Sequence, residues 1–275
     1  MSELNMATLQ EWIGNTENRT DIVSEDALKR YRGTLESYLV SEDVAVVPPG
    51  FHWTMYQPLN ASSELREDGH PKRITLLPEL PFATRMWAGG EVAFHAALKV
   101  GDLIERTSTL KSIDLKSGSS GDLLFIEIAH EYQRNQQAVI SETQTVVYRN
   151  PPPPKEVQPL EEQEKADEAF QADSRLLFRY SALTFNTHRI HYDRDYAMRE
   201  EGYPGLVVHG PMQASLLMNH IAWTLGHTDF RFSYRGTAPL FAGQNAYLRL
   251  SDDAAWIERG EGDATMKGKF QLLEQ

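Results

Sequence analysis

The sequence predicts an α+β fold built from two similar halves, and three observations carry that reading. The run Pro151-Pro-Pro-Pro154, followed by the acidic Glu161-Glu-Gln-Glu-Lys-Ala-Asp-Glu, divides the chain near its middle. Each proline lacks the N–H that a sheet interior needs and favours an extended backbone, so residues 151–172 are expected to form a linker. On both sides of it, a helical pattern is combined with consecutive runs rich in β-branched and aromatic residues. That is the signature of a helix laid against antiparallel strands. The expected domains are therefore 1–150 and 173–275.

Composition bounds the possibilities. A chain of 275 residues with 41% hydrophobic and 24% charged residues is an ordinary globular protein, long enough for two cores. With no cysteine, disulfides, zinc-thiolate sites and a thiol nucleophile are excluded. The N-terminal residues lack the basic and apolar regions of a signal peptide, and no apolar run is long enough to span a membrane. A cytoplasmic location is the expectation. The formal charge of −12 argues against nucleic-acid binding but leaves room for a local basic pocket holding a phosphorylated small ligand.

The elements follow in order. Ser24-Glu-Asp-Ala-Leu-Lys-Arg-Tyr-Arg-Gly opens with a serine cap and an acidic first turn, which starts a helix. Residues 45–85 form an insert marked by the loop signals Pro48-Pro49-Gly50 and Asp68-Gly69-His70-Pro71, and inserts of this length are usually functional or disordered. Strands are expected around Glu91–Leu98, Leu123–Tyr132 and Ala138–Tyr148, with turns at the intervening glycines. In the second half, Pro211 to about Leu225 has helical apolar spacing, proline at the first position and Gly226 as a stop. Strands then follow near 244–250, 254–259 and 264–273.

The chemistry concentrates in two short segments, Asn186-Thr-His188-Arg189-Ile-His191-Tyr-Asp193 and His209-Gly210-Pro211. A glycine N–H at the positive end of a buried helix is suited to stabilising a developing oxyanion or enolate. Addition of water to an activated double bond needs an acid/base group, and His191 is the natural one. Asn186 can hold a water or orient the imidazole but cannot take a proton. Asp193 is read as the cap of the helix that follows it, and Tyr192 and Tyr196 as packing. His188 suits a structural or substrate-edge role and a chemical one equally. The histidines lack a carboxylate spacing such as His-Glu-x-x-His, and no metal is expected. Among the basic residues, Arg85 in Arg85-Met-Trp87-Ala-Gly-Gly90 reads as a clamp for a ligand carboxylate or phosphate, beside an aromatic ring and a Gly-Gly turn.

The string from Tyr180 to Asp193, together with His209-Gly210, resembles the hydratase motif of the MaoC-like (R)-specific enoyl-CoA hydratases of the hotdog fold. The variant Ser181-Ala-Leu-Thr-Phe-Asn-Thr-His-Arg-Ile-His-Tyr-Asp is similar to one branch, which holds itaconyl-CoA hydratases, mesaconyl-C4-CoA hydratases and type 2 mitochondrial 3-hydroxyacyl-thioester dehydratases. Arg85-Met-Trp-Ala-Gly-Gly, Lys116-Ser-Gly-Ser-Ser-Gly and Tyr148-Arg149 also resemble that branch. The resemblance implies a double hotdog, two antiparallel sheets each wrapped around a helix, with the hydratase motif in the second half only. It implies His191 as the catalytic histidine and Gly210 as the oxyanion donor. Asn186 falls where the wider family has its catalytic aspartate, so a single-base mechanism is expected, with His191 as base and then acid. The expected reaction is reversible hydration of itaconyl-CoA or mesaconyl-C4-CoA to citramalyl-CoA. The CoA thioester is the substrate and no cofactor is needed. The alternatives are dehydration of longer 3-hydroxyacyl thioesters and acyl-CoA binding without turnover. Arg85 or Arg189 would meet the free carboxylate, Lys72 and Arg73 the CoA phosphates, and His188, His209 and Trp87 the rest of the substrate. By analogy the protein is a homodimer.

Overall fold

The computed structural model describes residues 5–39, 41, 46–118, 121–150, 156–260 and 262–273. Its helices are α1 (Met6–Gln10), α2 (Glu25–Leu35), α3 (Ser174–Thr184), α4 (Arg194–Arg199) and α5 (Gly210–Leu225). Its strands are β1 (Thr16–Ile22), β2 (Thr84–Phe94), β3 (Leu103–Gly118), β4 (Gly121–Arg134), β5 (Gln137–Arg149), β6 (Phe230–Gly236), β7 (Tyr247–Leu250), β8 (Ala254–Glu258) and β9 (Ala264–Leu272). All the pairings are antiparallel, and the strands form one sheet in the order β1-β3-β4-β5-β2-β6-β9-β8-β7. The half-sheets of the two halves therefore join edge to edge through β2 and β6, in a register running from Gly89 opposite Arg235 to Ala93 opposite Arg231.

The local signals act as their chemistry requires. The Ser24 hydroxyl accepts from the Ala27 N–H at the start of α2, and the Asp193 carboxylate accepts from the Tyr196 N–H at the start of α4. In α5, Met212 and the run Ala214–Met218 are all buried, along with Ile221 and Ala222. Such a helix is apolar almost all round and can only be stable inside a core. It lies against the strands of the second half, and Gly226 ends it in a left-handed conformation at φ 76°. Helix α2 buries Leu28, Tyr31 and Leu35 in the same continuous core. Among the described residues, no helix is long and apolar enough to cross a membrane.

Two expectations change. Arg85–Gly90 is not a turn but part of β2, with a bulge between Trp87 and Gly89. Its glycines serve close approach between strands: a Cβ on Gly89 would stand 2.4 Å from the Tyr234 carbonyl, and one on Gly90 2.2 Å from that of Thr143. The expected linker begins with residues 151–155, which lie outside the described residues, as do two of the Lys116–Gly121 turn (119 and 120) and residue 45 of the insert. From 156 onward it is not a free spacer but a strap on the second half. The Leu160 N–H donates to the Pro204 carbonyl, the Gln163 N–H donates to that of Gly243, and Phe170 bridges Ala246.

Two buried histidines of the first half make the fold acid-sensitive. Burial, helped by the charge of Arg106, depresses His130 to about 3; burial, then the neighbouring His130 and Arg106, does the same to His52. The unfolded chain takes up these protons near pH 6.5. Their contribution to stability is thus complete above about pH 6.5 and is lost progressively as the pH falls towards 3. Thermal melts are expected to show Tm falling steadily between pH 6.5 and 4. A constant Tm over that range would contradict the neutral assignment.

Candidate active site

A cavity of about 1100 Å³ opens where the insert, β2 and the second half meet, with Arg85, Trp87, Asn186, His188, His191 and Gly210 all on its wall. That volume lies at the upper end of what small-molecule sites offer. The sequence builds it from short elements. Asp173 caps α3, and the helix ends at Phe185, whose left-handed φ of 50° and ψ of 37° reverse the chain. Asn186 follows at once, and its side-chain oxygen accepts from the His188 N–H at 3.0 Å, which shapes the turn leading into the single 3-10 turn Arg189–His191.

His191 is buried, and its Nδ1 lies 2.7 Å from the Val207 carbonyl. A carbonyl can only accept, so Nδ1 carries the proton and Nε2 keeps its lone pair. Burial first, then the adjacent His188, outweigh the opposite effect of the Val207 carbonyl and hold His191 at about 3. The ring is therefore neutral at physiological pH, the form a general base requires. His209 stacks behind it at 3.7 Å and 18° between rings, its own Nε2 2.9 Å from the Ser181 hydroxyl. His209 thus packs against His191 from the interior; it is buried and does not line the cavity.

Gly210 begins α5, so its N–H has no acceptor within the helix and stands at the positive end of the macrodipole. Trp87 lies over it, and a Cβ here would approach the ring to 2.6 Å. Trp87 in turn stacks on Tyr234 at 5.1 Å and meets the Trp53 edge at 5.7 Å. The Trp53 N–H donates to Glu142, a fully buried carboxyl whose pKa burial raises. The roof over Gly210 is accordingly rigid.

Two of the residues expected at the substrate do not line the cavity. Arg189 turns to the surface, where it donates to Asp193 at 2.8 Å and covers the Tyr196 ring at 4.0 Å. Lys72 is exposed and donates to the Ser63 carbonyl. Arg73 does reach the cavity, along with Arg19 and Arg149, and the buried Nε of Arg149 has no hydrogen-bond partner among the described residues.

The insert brings a group that the spacing of the sequence did not suggest as part of the site. Asp68 accepts from the His70 backbone N–H at 2.9 Å and lies 3.2 Å from its ring Nδ1. The His70 ring packs on His188 at 4.1 Å, and His188 meets His191 edge-on at 5.6 Å. Burial pushes the Asp68 carboxyl up, but its bonds with His70 outweigh this and leave it at about 2, fully ionised. Asp68, His70 and His188 each offer a ligand atom within 4.8 Å of one another, whereas Nδ1 of His191 and Nε2 of His209 are already engaged. The only signal for this arrangement was Asp68-Gly69-His70 in a loop.

Comparison with known proteins places this geometry. Residues 50–242 match the family model described as hydroxyacyl-thioester dehydratase type 2. The chain is 40% identical over 246 residues to the mesaconyl-C(4)-CoA hydratase of Chloroflexus aurantiacus, covering 86% of this chain and 87% of that one. Among solved structures, HtdX of Mycobacterium tuberculosis superposes with a TM-score of 0.69 at 15% identity, covering 94% of this chain and 100% of that one. A second protein of that organism, described as having a double hotdog fold, matches with a TM-score of 0.55 at 12% identity, over 95% of this chain and 96% of its own. These structures establish the fold as a double hotdog of the kind seen in MaoC-like proteins.

Proposed function

The chain belongs to the hydroxyacyl-thioester dehydratase type 2 family, and from that membership we infer that it catalyses the reversible hydration of an enoyl-CoA thioester. The observation that carries this reading is the pairing of a neutral His191, with its Nε2 lone pair free, and the Gly210 N–H at the end of a buried helix on the same cavity wall. In hydration, His191 Nε2 takes a proton from water as the hydroxyl oxygen bonds to Cβ. The Cα=Cβ electron pair shifts towards the thioester, whose oxygen accepts from the Gly210 N–H. The imidazolium then returns its proton to Cα, so one water is added and the enzyme is restored. Asn186 uses its oxygen on His188 and keeps its NH2 to hold the water.

For the substrate we propose a short branched dicarboxylyl-CoA, mesaconyl-C4-CoA or itaconyl-CoA, giving citramalyl-CoA. The support is the 40% identical mesaconyl-C(4)-CoA hydratase and the arginines on the wall, which suit a second carboxylate better than a bare alkyl chain. Arg85 is the proposed partner of that carboxylate. Its charge, after burial and His188, is among the causes that lower the His70 ring to about 4, so it lies at the chemical end of the cavity. Arg149 is the nearest alternative on the neighbouring strand, where it faces Thr84. Arg73 is left for the CoA phosphates.

Arg85→Ala is expected to raise KM for mesaconyl-C4-CoA by about 10- to 100-fold, the worth of one charged hydrogen bond. KM for crotonyl-CoA, which has no second carboxylate, should stay within about twofold. Equal losses for both substrates would remove Arg85 from carboxylate recognition.

A further inference from the structure

His191 gains a positive charge when it takes the proton from water, and the carboxylate of its own segment, Asp193, is taken up by Arg189 at the surface. Asn186 is a neutral carboxamide whose oxygen is already committed to the His188 N–H. Val207 offers a carbonyl dipole, and the rings facing His191 are those of His188 and His209. The carboxylates behind this group are Glu201, 3.6 Å from His188 Nε2, and Asp68, held on His70.

Asp68 belongs to the insert of the first half, and that insert is pinned to the hydratase segment by backbone bonds. The Arg189 N–H donates to the Asp68 carbonyl at 2.9 Å, and the Thr187 hydroxyl donates to the Gly69 carbonyl. Gly69 adopts φ 92° and packs so closely that a Cβ would stand 1.7 Å from the Thr187 carbonyl oxygen. The approach is thus built into the fold. Asp68 uses both of its oxygens on His70, so Nδ1 of His70 donates and the ring is fixed in tautomer and orientation. In that orientation it packs on His188, which packs on His191.

We propose that Asp68, acting through His70, is a positioning residue of the hydration: from the first half it adds to Glu201 on His188 the negative charge that Asn186 cannot supply. The pair fixes the imidazole stack and stabilises the imidazolium at His191 while the proton is in transit. Asp68 keeps its charge throughout, and the proton balance of the reaction is unchanged. The two halves are therefore catalytically dependent on each other. The proposal rests on His191 being the base of the hydration.

Asp68→Asn removes the charge and retains an oxygen for the His70 backbone N–H. With mesaconyl-C4-CoA, kcat is expected to fall about 30-fold, the effect of losing one charge at this range in a partly buried site, with KM within about twofold. Adding Asn186→Asp in the same background returns a carboxylate to the site by the other route, and kcat should recover to within about threefold of the parent. A merely structural Asp68 would not be rescued in this way. Wild-type kcat in Asp68→Asn, or a loss that Asn186→Asp leaves untouched, would overturn the proposal. So would a metal ion using the same atoms: activity is expected to survive exhaustive chelation, and loss on chelation with recovery on adding a divalent cation would make Asp68 a ligand instead. If His191→Ala is inactive while Asp68→Asn is normal, only this inference fails. If His191→Ala is active, the hydration reading itself fails.

Discussion

Replacing His191 by alanine is expected to lower kcat by on the order of 1000-fold while binding of the CoA thioester is retained, the range for loss of a positioned general base. His191 holds one proton on Nδ1 for the Val207 carbonyl and stacks on His209, so its Nε2 is the nitrogen left for water. Asn186 cannot take over, because a carboxamide has no accessible proton equilibrium. The pH dependence gives the same residue a second signature. The active form is the neutral ring, and burial keeps His191 at about 3, so kcat/KM should stay level as the pH falls through 6.5. It should decline only where the protein itself unfolds. An acid limb centred near 6.5 would mean that the working base is a solvated histidine elsewhere.

Gly210→Ala is the second large effect: the N–H is kept but displaced, and kcat is expected to fall about 100-fold, the cost of misplacing an oxyanion donor. The new methyl group would come within 2.6 Å of Trp87 Cε3, and Trp87 is held by its stack on Tyr234 and its contact with Trp53. Either the ring or the start of α5 must move, and both line the site. Tm is expected to fall as well, because overpacking a rigid contact costs about 1–3 kcal/mol. Wild-type kcat in a variant whose structure shows the start of α5 displaced would show that the N–H does not meet the thioester oxygen.

Some of this was legible in the sequence, for a physical reason. Caps and stops act within a few residues, so Ser24, Asp193, Pro211 and Gly226 announced their helices; strands were expected close to where β7, β8 and β9 stand, whereas β6 was not expected. That His191 and Gly210 share a cavity wall was legible because the motif that carries them is local. Helix α3 gave no glycine stop: it ends at a left-handed Phe185. The glycines of β2 imitated a turn because the need for them lies on neighbouring strands. Arg189 was misleading in the opposite way. It is two residues from His191, yet the 3-10 turn sends the arginine to Asp193 at the surface and the imidazole to Val207 in the interior. The Asp68–His70 arm was hidden because its partners are more than a hundred residues further along the chain, and only the folded insert brings them together.

The most direct test is steady-state turnover by the purified protein of mesaconyl-C4-CoA, itaconyl-CoA and crotonyl-CoA. The expected result is formation of citramalyl-CoA from a dicarboxylyl thioester, with kcat/KM at least about tenfold above that for crotonyl-CoA. Measurable binding of these esters without turnover of any of them would contradict the assignment and make the chain a thioester-binding protein.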